Sequence, residues 1–456
     1  MSVHGHYHLV GIGGVGMSAL AQALLDAGAT VSGSDRLLDR GDATDTLQRL
    51  AAQGVALHAQ DGSGVAPGTA GLVISTAIEP DNPDLARARS LGVPVAHRAE
   101  ALARLVADQR LIAVTGTCGK STVTAMAGWM LAGCGLDPAV VNGAAVVGWD
   151  GGGRLGSVRR GAGAWAVIEA DESDRSLLAF SPEHAVITNA SADHFALPET
   201  LALFEQFRGR VRGTVIDGAR NPEPGTRNPE SGTRSPEPGT RSPEPEGLEL
   251  FGWSGRFVLE GVEFAVPAPG RHNVWNAWHA ARAARLTGAP AEGLAAALRT
   301  FRGVERRLQR VGARHGAAVI DDYAHNPEKL SAAWRTLSGA FPRVCAVWRP
   351  HGFGPLRNMM DALVSAFVSV CRPCDMLLLL PVYDAGGTAD RSVSSGQLHA
   401  RLEAAGVRCR LVADLEEAGA ALEAAAAPGT ALVTFGARDP GLPRLARRLA
   451  EEGPSR

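Results

Sequence analysis

The chain has 456 residues, of which 45% are hydrophobic and 20% charged, and its formal net charge is −2. This composition is typical of a globular protein with several domains, and the near-neutral charge argues against nucleic acid or an anionic membrane as a partner. Six cysteines at irregular spacing favour a reducing compartment over a disulfide framework. No apolar run approaches the roughly 20 residues that a membrane helix needs, and no signal-peptide pattern opens the chain. We therefore expect a cytoplasmic protein with no membrane partner.

A glycine-rich turn follows the first strand-like run, residues 7–10. A helical pattern comes next, from about residue 18 to 27, and a second strand-like run then ends close to an acidic residue. The spacing G-x-G-x-x-G, with an acid about 20 residues further on, is typical of a turn that holds a dinucleotide phosphate at a helix N-terminus. A tight turn without a ligand is the alternative. The candidate binding residues are Gly11, Gly13, Gly14, Gly16, Ser18 and Asp35.

Strand-like runs at 72–75 and 93–97 extend the same alternation of strands and helices. The first leads into a polar loop that contains Ser75 and Ala77, and the second leads to Arg98. Ligands bind at the carboxyl ends of strands in open α/β sheets, so these residues are further candidates for ligand contact. Residues 1–108 are predicted to form the first α/β domain.

The strongest signal is the stretch 111–131, in which an apolar run, a glycine-bearing turn and a helical pattern follow one another. This is the layout of a phosphate-binding loop, whose lysine reaches the β- and γ-phosphates and whose next hydroxyl can bind Mg²⁺. The full Walker A pattern is not met, because Val114 stands where its first glycine is expected. An ordinary strand-to-helix turn that carries a lysine is the alternative. The loop comprises Gly116, Thr117, Cys118, Gly119, Lys120, Ser121 and Thr122.

Acidic residues close the next apolar run, which ends in Glu169 within the sequence WAVIEADESD. A carboxylate at a strand end beside a phosphate loop is where a nucleotide triphosphatase places a Mg²⁺ ligand. The following run, 185–188, leads to Asp193 and His194, which makes His194 a candidate second ligand. A solvated acidic turn and a structural histidine are the alternatives.

Residues 221–247 form a seven-residue repeat in four imperfect copies, rich in Pro, Gly, Glu and Arg. Such a segment cannot bury enough apolar surface to become ordered, so we expect a disordered loop without chemistry of its own. After it, the sequence GRHNVWNAWHA starts an amphipathic helix that runs to about residue 286. Its polar residues Asn273 and Asn276 share a face at the N-terminal end, where a nucleotide base could be contacted.

A third alternation of strands and helices follows an expected connector at 304–311. Strand-like runs at 317–320, 344–348, 376–380 and 431–434 each end in polar residues. Among these residues are Asp322, His351 and Arg357, and ligands are expected at such ends. The fold class is therefore α/β with three domains: a Rossmann-like domain at 1–108, a P-loop ATPase-like domain at 109–309 and a second Rossmann-like domain at 310–456.

These motifs, taken together and in this order, resemble the Mur ligase family, the ATP-dependent amide ligases that build the peptide of peptidoglycan precursors. The signature GIGGVGMSALA…VSGSD and the loop STAIEPDNP are most similar to the member that adds L-alanine to UDP-N-acetylmuramic acid. The resemblance implies a cytoplasmic ligase that serves cell wall biogenesis, cell shape and cell division, and works as a monomer or weak homodimer. It also implies that the first domain holds the UDP-sugar, in place of a dinucleotide.

The resemblance assigns roles to individual residues. It implies ATP and Mg²⁺ as cofactors, with ATP held by the loop 116–122, Asn273, Asn276, Arg307 and Asp322, and the metal held by Ser121, Glu169 and His194. It implies that the chemistry depends on Lys120, Glu169, His194 and His351, and proceeds through an acyl phosphate on the sugar carboxylate. The UDP-sugar and the amino acid would contact Gly11, Gly13, Gly14, Gly16, Ser18, Asp35, Ser75, Ala77, Arg98 and Arg357.

The chain departs from the family pattern at several positions. Cys118 and Asn326 stand where the alanine-adding member usually has histidine. More importantly, its segment PHRYTRTR is PHGFGPLR here, so Gly352 and Pro355 replace two arginines expected to bind the carboxylate of the incoming amino acid. These changes leave three alternatives: a related ligase that adds another amino acid or a recycled peptide, a nucleotide-binding homologue without turnover, and an NAD(P)-dependent oxidoreductase that uses the first glycine-rich turn.

Overall fold

The computed structural model describes residues 4–39, 41, 44–191, 195–219, 244–384 and 390–451. Most of the predicted repeat, and His194 with its neighbour Asp193, lie outside the described residues. The chain divides into two compact units, Met1–Val304 and Glu305–Arg456. Within the described ranges, no helix is both long and apolar enough to cross a lipid bilayer.

The first sheet of the N-terminal unit has five parallel strands in the order β3-β2-β1-β4-β5. Helices follow the strands, as expected for βαβ units in which strands are buried on both faces. The strands are β1 (His6–Val10), β2 (Thr30–Ser34), β3 (Ala56–His58), β4 (Gly71–Ile74) and β5 (Val95–His97), and the helices are α1 (Val15–Asp26), α2 (Arg36–Asp39), α3 (Asp45–Ala52), α4 (Pro83–Ser90) and α5 (Arg98–Leu105).

The second sheet of this unit has the order β11-β10-β6-β9-β7-β8, and only its edge strand β8 is antiparallel. The apolar run before the phosphate loop is the inner strand β6, and every residue of it after Arg110 is buried. The strands are β6 (Arg110–Thr115), β7 (Ala139–Val141), β8 (Val158–Arg159), β9 (Trp165–Glu169), β10 (His184–Ile187) and β11 (Val215–Asp217), with helices α6 (Lys120–Gly133) and α7 (Leu197–Arg208).

A three-stranded antiparallel sheet follows, which the sequence analysis did not predict. It begins at Glu246, so the expectation of disorder was wrong for residues 246 and 247, the last two of the predicted repeat. It consists of β12 (Glu246–Phe251), β13 (Ser254–Leu259) and β14 (Val262–Val266), and the helices α8 (Arg271–Arg285) and α9 (Ala291–Leu298) come after it. Helix α8 packs on α6 in one apolar core with β13 and β14.

The C-terminal unit has one sheet in the order β15-β16-β20-β17-β18-β19, parallel except for β15. Strand β15 starts at Gln309, so the prediction of a plain connector at 304–311 was wrong for its last residues. The strands are β15 (Gln309–Arg314), β16 (Ala317–Asp322), β17 (Arg343–Trp348), β18 (Met376–Leu379), β19 (Cys409–Leu411) and β20 (Thr430–Phe435), and the helices are α10 (Pro327–Ala340), α11 (Phe353–Val370), α12 (Ser395–Ala404), α13 (Leu415–Ala424) and α14 (Gly441–Ala450).

The mixed α/β architecture with largely parallel sheets confirms the predicted fold class. The boundary between the two compact units lies between Val304 and Glu305 in the chain. The three domain ranges that the sequence suggested stay a prediction.

Candidate active site

The phosphate-binding loop lies at the carboxyl end of β6, inside the second sheet. Helix α6 begins at Lys120, and its N-cap residue, Gly119, has φ +84° and offers no side-chain cap. The first backbone N–H groups of a helix have no partner within the helix, and the helix dipole favours negative charge there. The end of α6 can therefore receive an anion such as a phosphate.

Two positions of the loop require glycine, because their backbone conformation favours it and because a side chain would collide with neighbouring atoms. A Cβ atom on Gly119 would lie 2.5 Å from Asn276 Oδ1, and a Cβ atom on Gly116, whose φ is +127°, would collide with Thr188 Oγ1. Real Cβ atoms essentially never approach other atoms so closely. The loop thus needs glycine at both positions to pack against α8 and against the end of β10.

Two residues that the sequence analysis did not single out hold the loop in shape. Asn189 Oδ1 accepts hydrogen bonds from Thr117 Oγ1 at 2.7 Å and from the Cys118 N–H at 2.9 Å. Thr188 Oγ1 donates to the Cys118 carbonyl at 2.5 Å. Both residues follow β10, which pairs with β6 so that Ile187 faces Thr115. The sequence signal that could have identified both residues is their position at a strand end beside the loop.

The ammonium group of Lys120 lies within its own loop. Its Nζ donates to the Gly116 carbonyl at 2.8 Å and pairs with Glu172 Oε2 at 2.7 Å. The Glu172 side chain is only 2% exposed. Burial opposes the charge of Lys120, but the surrounding carboxylates, Glu172 above all, outweigh it and raise the pKa of the lysine. Lys120 is therefore charged at neutral pH, as a phosphate contact requires.

Two of the three predicted metal ligands lie beside this loop. Ser121 is buried in the first turn of α6, and Glu169 ends β9, in register with Val114 of β6. Glu169 Oε2 accepts the Gly143 N–H at 2.9 Å. A hydroxyl and a carboxylate are oxygen ligands that suit Mg²⁺, which commonly keeps several waters. Within the described residues, no group of three His, Cys, Asp or Glu side chains could hold a metal, and the predicted third ligand, His194, lies outside them.

The predicted base-contacting residues lie at the start of α8, against the same loop. Asn273 and Asn276 are both buried, and Asn276 Nδ2 donates to Asn273 Oδ1 at 3.3 Å. Asn273 Nδ2 donates to the Pro269 carbonyl at 2.8 Å. The structure therefore brings Asn276 next to Gly119, although their roles in nucleotide binding stay a prediction.

The first glycine-rich turn connects β1 to α1, and Asp35 shapes it. Asp35 Oδ2 accepts the Gly13 N–H at 2.9 Å, and Oδ1 accepts the Leu37 N–H at 3.0 Å. Gly14 is the N-cap of α1 and has no side-chain cap, and Ser18 is buried in the first turn, where its Oγ donates to the Val15 carbonyl at 3.1 Å. One carboxylate oxygen of Asp35 thus holds the glycine-rich turn, and the other holds the backbone at the start of α2.

Arg98 connects this turn with the acidic loop after β9. Its Nη2 pairs with Asp174 at 3.1 Å and with Asp171 at 3.4 Å. A Cβ atom on Gly16 would lie 2.6 Å from Arg98 Nη1, so the guanidinium lies against the start of α1. The polar loop with Ser75 and Ala77 follows β4, and the Ala77 N–H donates to Ser75 Oγ at 3.4 Å.

In the C-terminal unit, Asp322 ends β16 and its carboxylate binds backbone N–H groups. Oδ2 accepts from Leu308 and Oδ1 from Ala324, both at 2.7 Å. Burial raises the pKa of Asp322 to about 6. The Cζ atom of Arg307 lies 5.3 Å from the centre of the Tyr323 ring, as cation–π contacts do. These two predicted nucleotide contacts thus lie close together.

The remaining predicted residues of this unit, His351 and Arg357, differ in their surroundings. His351 is half-buried, and its ring centre lies 4.8 Å from that of His325, which sequence reasoning had not chosen. Burial lowers the pKa of His351 to about 4. Arg357 pairs instead with Asp390 at 2.8 Å and donates to Ser392 Oγ at 3.2 Å.

Comparison with known proteins decides which family this arrangement represents. Residues 6–110 match the family model described as Mur ligase family, catalytic domain, and residues 306–438 match Mur ligase, glutamate ligase domain. The chain is 35% identical to the UDP-N-acetylmuramate–L-alanine ligase of Rhizobium meliloti strain 1021, over 95% of this chain and 94% of that protein. The chain belongs to the Mur ligase family. The predicted resemblance is confirmed.

Further relatives and solved structures agree with this Mur ligase assignment. The ligase of the same name from Streptomyces avermitilis is 35% identical over 98% of this chain and 97% of that protein. The crystal structure of UDP-N-acetylmuramate–alanine ligase from Thermotoga maritima matches with a TM-score of 0.78 at 23% identity, covering 98% of each chain. A murein peptide ligase from Psychrobacter arcticus matches with a TM-score of 0.61 at 19% identity, also over 98% of each chain. These two structural matches support the fold.

Proposed function

We propose that this Mur ligase joins L-alanine to the carboxyl group of UDP-N-acetylmuramic acid at the expense of ATP, in peptidoglycan precursor synthesis. The observation that carries the proposal is the 35% identity to a ligase of that name over 95% of the chain. The phosphate loop, with charged Lys120 at the uncapped end of α6, supports it independently. We infer a cytoplasmic enzyme that works as a monomer or weak homodimer.

The three substrates are assigned to three parts of the chain. The UDP-sugar binds residues 1–108 through the turn 11–16, its neighbours Ser18 and Asp35, the loop with Ser75 and Ala77, and Arg98. ATP binds residues 109–309 through the loop 116–122, Asn273 and Asn276. The amino acid binds residues 310–456, where His351 and Arg357 are candidates. Asp322 of this range and Arg307, just before it, contact ATP.

The chain's own residues position the phosphates and stabilise the negative charge of the reaction. The N–H groups at the start of α6 and the Lys120 ammonium hold the phosphates and offset the negative charge that develops on the transferred phosphoryl group. The sugar carboxylate attacks the γ-phosphorus of ATP, and ADP leaves, which gives an acyl phosphate. The amine of the amino acid then attacks the acyl carbon, inorganic phosphate leaves, and the nitrogen loses a proton to give the amide. Water must be excluded in the meantime, because it would hydrolyse the acyl phosphate.

Magnesium is part of the proposal. Ser121 and Glu169 lie beside the phosphate loop and supply oxygen ligands, and His194 is the third candidate. When bound, the ion would neutralise negative charge on the phosphate oxygens. Glu169 is held in place by the Gly143 N–H, so its orientation does not depend on the ion.

Phosphate release from Mg-ATP tests the function, measured with UDP-N-acetylmuramic acid and a panel of amino acids and short peptides. We expect L-alanine to give the highest kcat/KM. The Lys120→Ala variant should fold but lose turnover, because the phosphoryl group loses its cationic partner. Retained turnover in a folded Lys120→Ala variant would remove the phosphate loop from the mechanism.

A second candidate function is a ligase that adds another amino acid or a recycled peptide. Gly352 and Pro355, which stand in place of two expected arginines, favour it. The same panel separates the two functions, because a leading peptide or a different amino acid would keep the chemistry and change the substrate. Binding of ATP and UDP-sugar with no turnover for any amine would instead indicate a homologue that has lost catalysis.

A further inference from the structure

The C-terminal unit brings three loops together at one edge of its sheet. Asp322, Phe435 and Trp348 face one another across the parallel strands β16, β20 and β17. Three residues past these aligned positions stand His325, Arg438 and His351. Because parallel strands leave a sheet in the same direction, their loops emerge side by side, where α/β sheets bind ligands. The ring contact between His325 and His351 shows that the two outer loops converge.

This edge carries positive charge that the protein itself does not neutralise. Arg438 is exposed and forms no hydrogen bond or ion pair with any residue in the described ranges. It lies close enough to His351 that its charge, with that of Lys329, adds to burial in lowering the pKa of the histidine. An arginine kept beside a half-buried histidine without an acidic partner is available for an anionic ligand.

Carboxylates at the ends of these strands and in these loops are held by other groups, and Asp322 accepts two backbone N–H groups. Asp439, the neighbour of Arg438 in sequence, pairs with Arg349 at 2.7 Å. Asp321 pairs with Arg306 at 3.2 Å. The positive charge of Arg438 is therefore not balanced by any of these carboxylates.

Arg357, the arginine that the sequence analysis assigned to substrate binding, already has an acidic partner. Arg357 is bound to Asp390 by an ion pair and to the Asp390 carbonyl at 2.9 Å. A substrate carboxylate at Nη2 would compete with these contacts. The positions 352 and 355 offer no charge, since they are glycine and proline.

We propose that Arg438 binds the carboxylate of the incoming amino acid, next to His325 and His351. This assignment rests on the proposed function, and it identifies a residue that determines the substrate. The amino end of α11, whose N-cap Gly352 has no side-chain cap, follows His351 directly and adds favourable electrostatics for an anion. A carboxylate fixed at Arg438 would hold the amino acid in one orientation.

The test compares L-alanine with L-alaninamide, which lacks the carboxylate charge, in the wild type and in Arg438→Ala. At saturating ATP and UDP-sugar we expect kcat/KM for L-alanine to fall about 10- to 100-fold, as the loss of one charged hydrogen bond would cause. For L-alaninamide it should change by less than about 3-fold, because that contact is absent from the start. Arg438→Lys should keep part of the discrimination.

Two controls make the outcome specific. Arg444→Ala removes another exposed arginine of the same unit, on α14, and should leave both substrates unaffected. The Kd for Mg-ATP, measured calorimetrically without the other substrates, should be the same in Arg438→Ala and the wild type. An unchanged Kd also shows that the nucleotide site is intact.

The possible results separate the two proposals. An equal fall for both amines, or no fall for L-alanine, would overturn the assignment of Arg438 while leaving the ligase function intact. If another amino acid leads the panel, the comparison is made with that amino acid and its amide, with the same expectation. A wild-type enzyme that turns over with no amine would refute the proposed function, and the assignment of Arg438 would fail with it.

Discussion

The pairing of Lys120 with Glu172 is the residue-scale feature with the clearest energetic consequence. A lysine that is to contact phosphate is held by a buried carboxylate at 2.7 Å and by its own loop. A phosphate that binds this ammonium meets the negative charge of Glu172 as a competitor. We therefore expect Glu172 to stabilise the loop without nucleotide and to weaken the affinity for ATP.

The variant Glu172→Gln tests this competition. We expect the free energy of unfolding without nucleotide to fall by about 1–3 kcal/mol, because a buried cation loses its charged partner. We also expect the Kd for Mg-ATP to decrease, since the amide competes less strongly for Lys120. Urea unfolding and calorimetric titration measure the two quantities.

Glu199→Gln is the matched control. It removes the carboxylate of an exposed ion pair with Arg175, and such pairs contribute little to stability. Its free energy of unfolding should stay within about 0.5 kcal/mol of the wild type, with unchanged ATP affinity. A weaker ATP affinity in Glu172→Gln would mean that Glu172 helps to position Lys120 for the nucleotide and does not compete with it.

At the scale of elements, the contact between the start of α6 and the start of α8 fixes the phosphate loop. Gly119 has a positive φ, and its missing side chain leaves the space that Asn276 Oδ1 fills. An added methyl group would therefore strain the backbone and also push the two helices apart. The strain alone can be measured at Gly54, whose φ is +94° and around which a Cβ atom would meet nothing within 4 Å.

We predict that Gly54→Ala lowers the free energy of unfolding by about 1–2 kcal/mol through backbone strain. Gly119→Ala should lower it by about 1–3 kcal/mol more, because it adds an overpacked contact. The double variant Gly119→Ala, Asn276→Ala should recover part of that extra loss. Equal losses in Gly54→Ala and Gly119→Ala, measured by urea unfolding, would show that the loop and α8 can move apart freely.

The sequence predicted those helices, strands and turns that depend on a local pattern of residues. The buried run of β6, the glycine turn and the start of α8 follow from apolar spacing and from a few residue types, and the structure has all three. The antiparallel sheet β12–β14 was missed, because its first strand is mostly exposed and gives a weak pattern.

The partners within the site could not be predicted in the same way. Glu172 lies 52 residues from Lys120, and Asn189 lies 71 residues from Cys118. These pairs depend on which strands neighbour β6, and strand order is a property of the whole sheet. The position of a strand end therefore indicated where a ligand binds but not which side chain holds the loop.

For the molecule as a whole, the larger of the two compact units buries an ionisable group against one of its apolar cores. His279 of α8 is 3% exposed among Trp275 and Trp278. Burial, with a smaller effect of Arg282, lowers the pKa of this histidine to about 3. Folding therefore requires His279 to be neutral.

The sign of the pH dependence follows from this requirement. The unfolded chain takes up a proton on this histidine below pH 6.5, its ordinary pKa, while the folded chain does not until about pH 3. Protons thus favour the unfolded state, and the stability of the unit falls as the pH is lowered through this range. Between pH 7 and pH 5 the contribution of His279 is a loss of about 2 kcal/mol.

The variant His279→Leu should reduce this acid sensitivity. We expect its free energy of unfolding to decrease by about 2 kcal/mol less than that of the wild type between pH 7 and pH 5, whatever its stability at pH 7. Urea unfolding of both proteins at several pH values measures the slope. Because the comparison uses slopes, a packing defect in His279→Leu does not affect it. Parallel curves for His279→Leu and the wild type would show that His279 accepts a proton within the folded core. The conclusion that folding requires a neutral His279 would then be wrong.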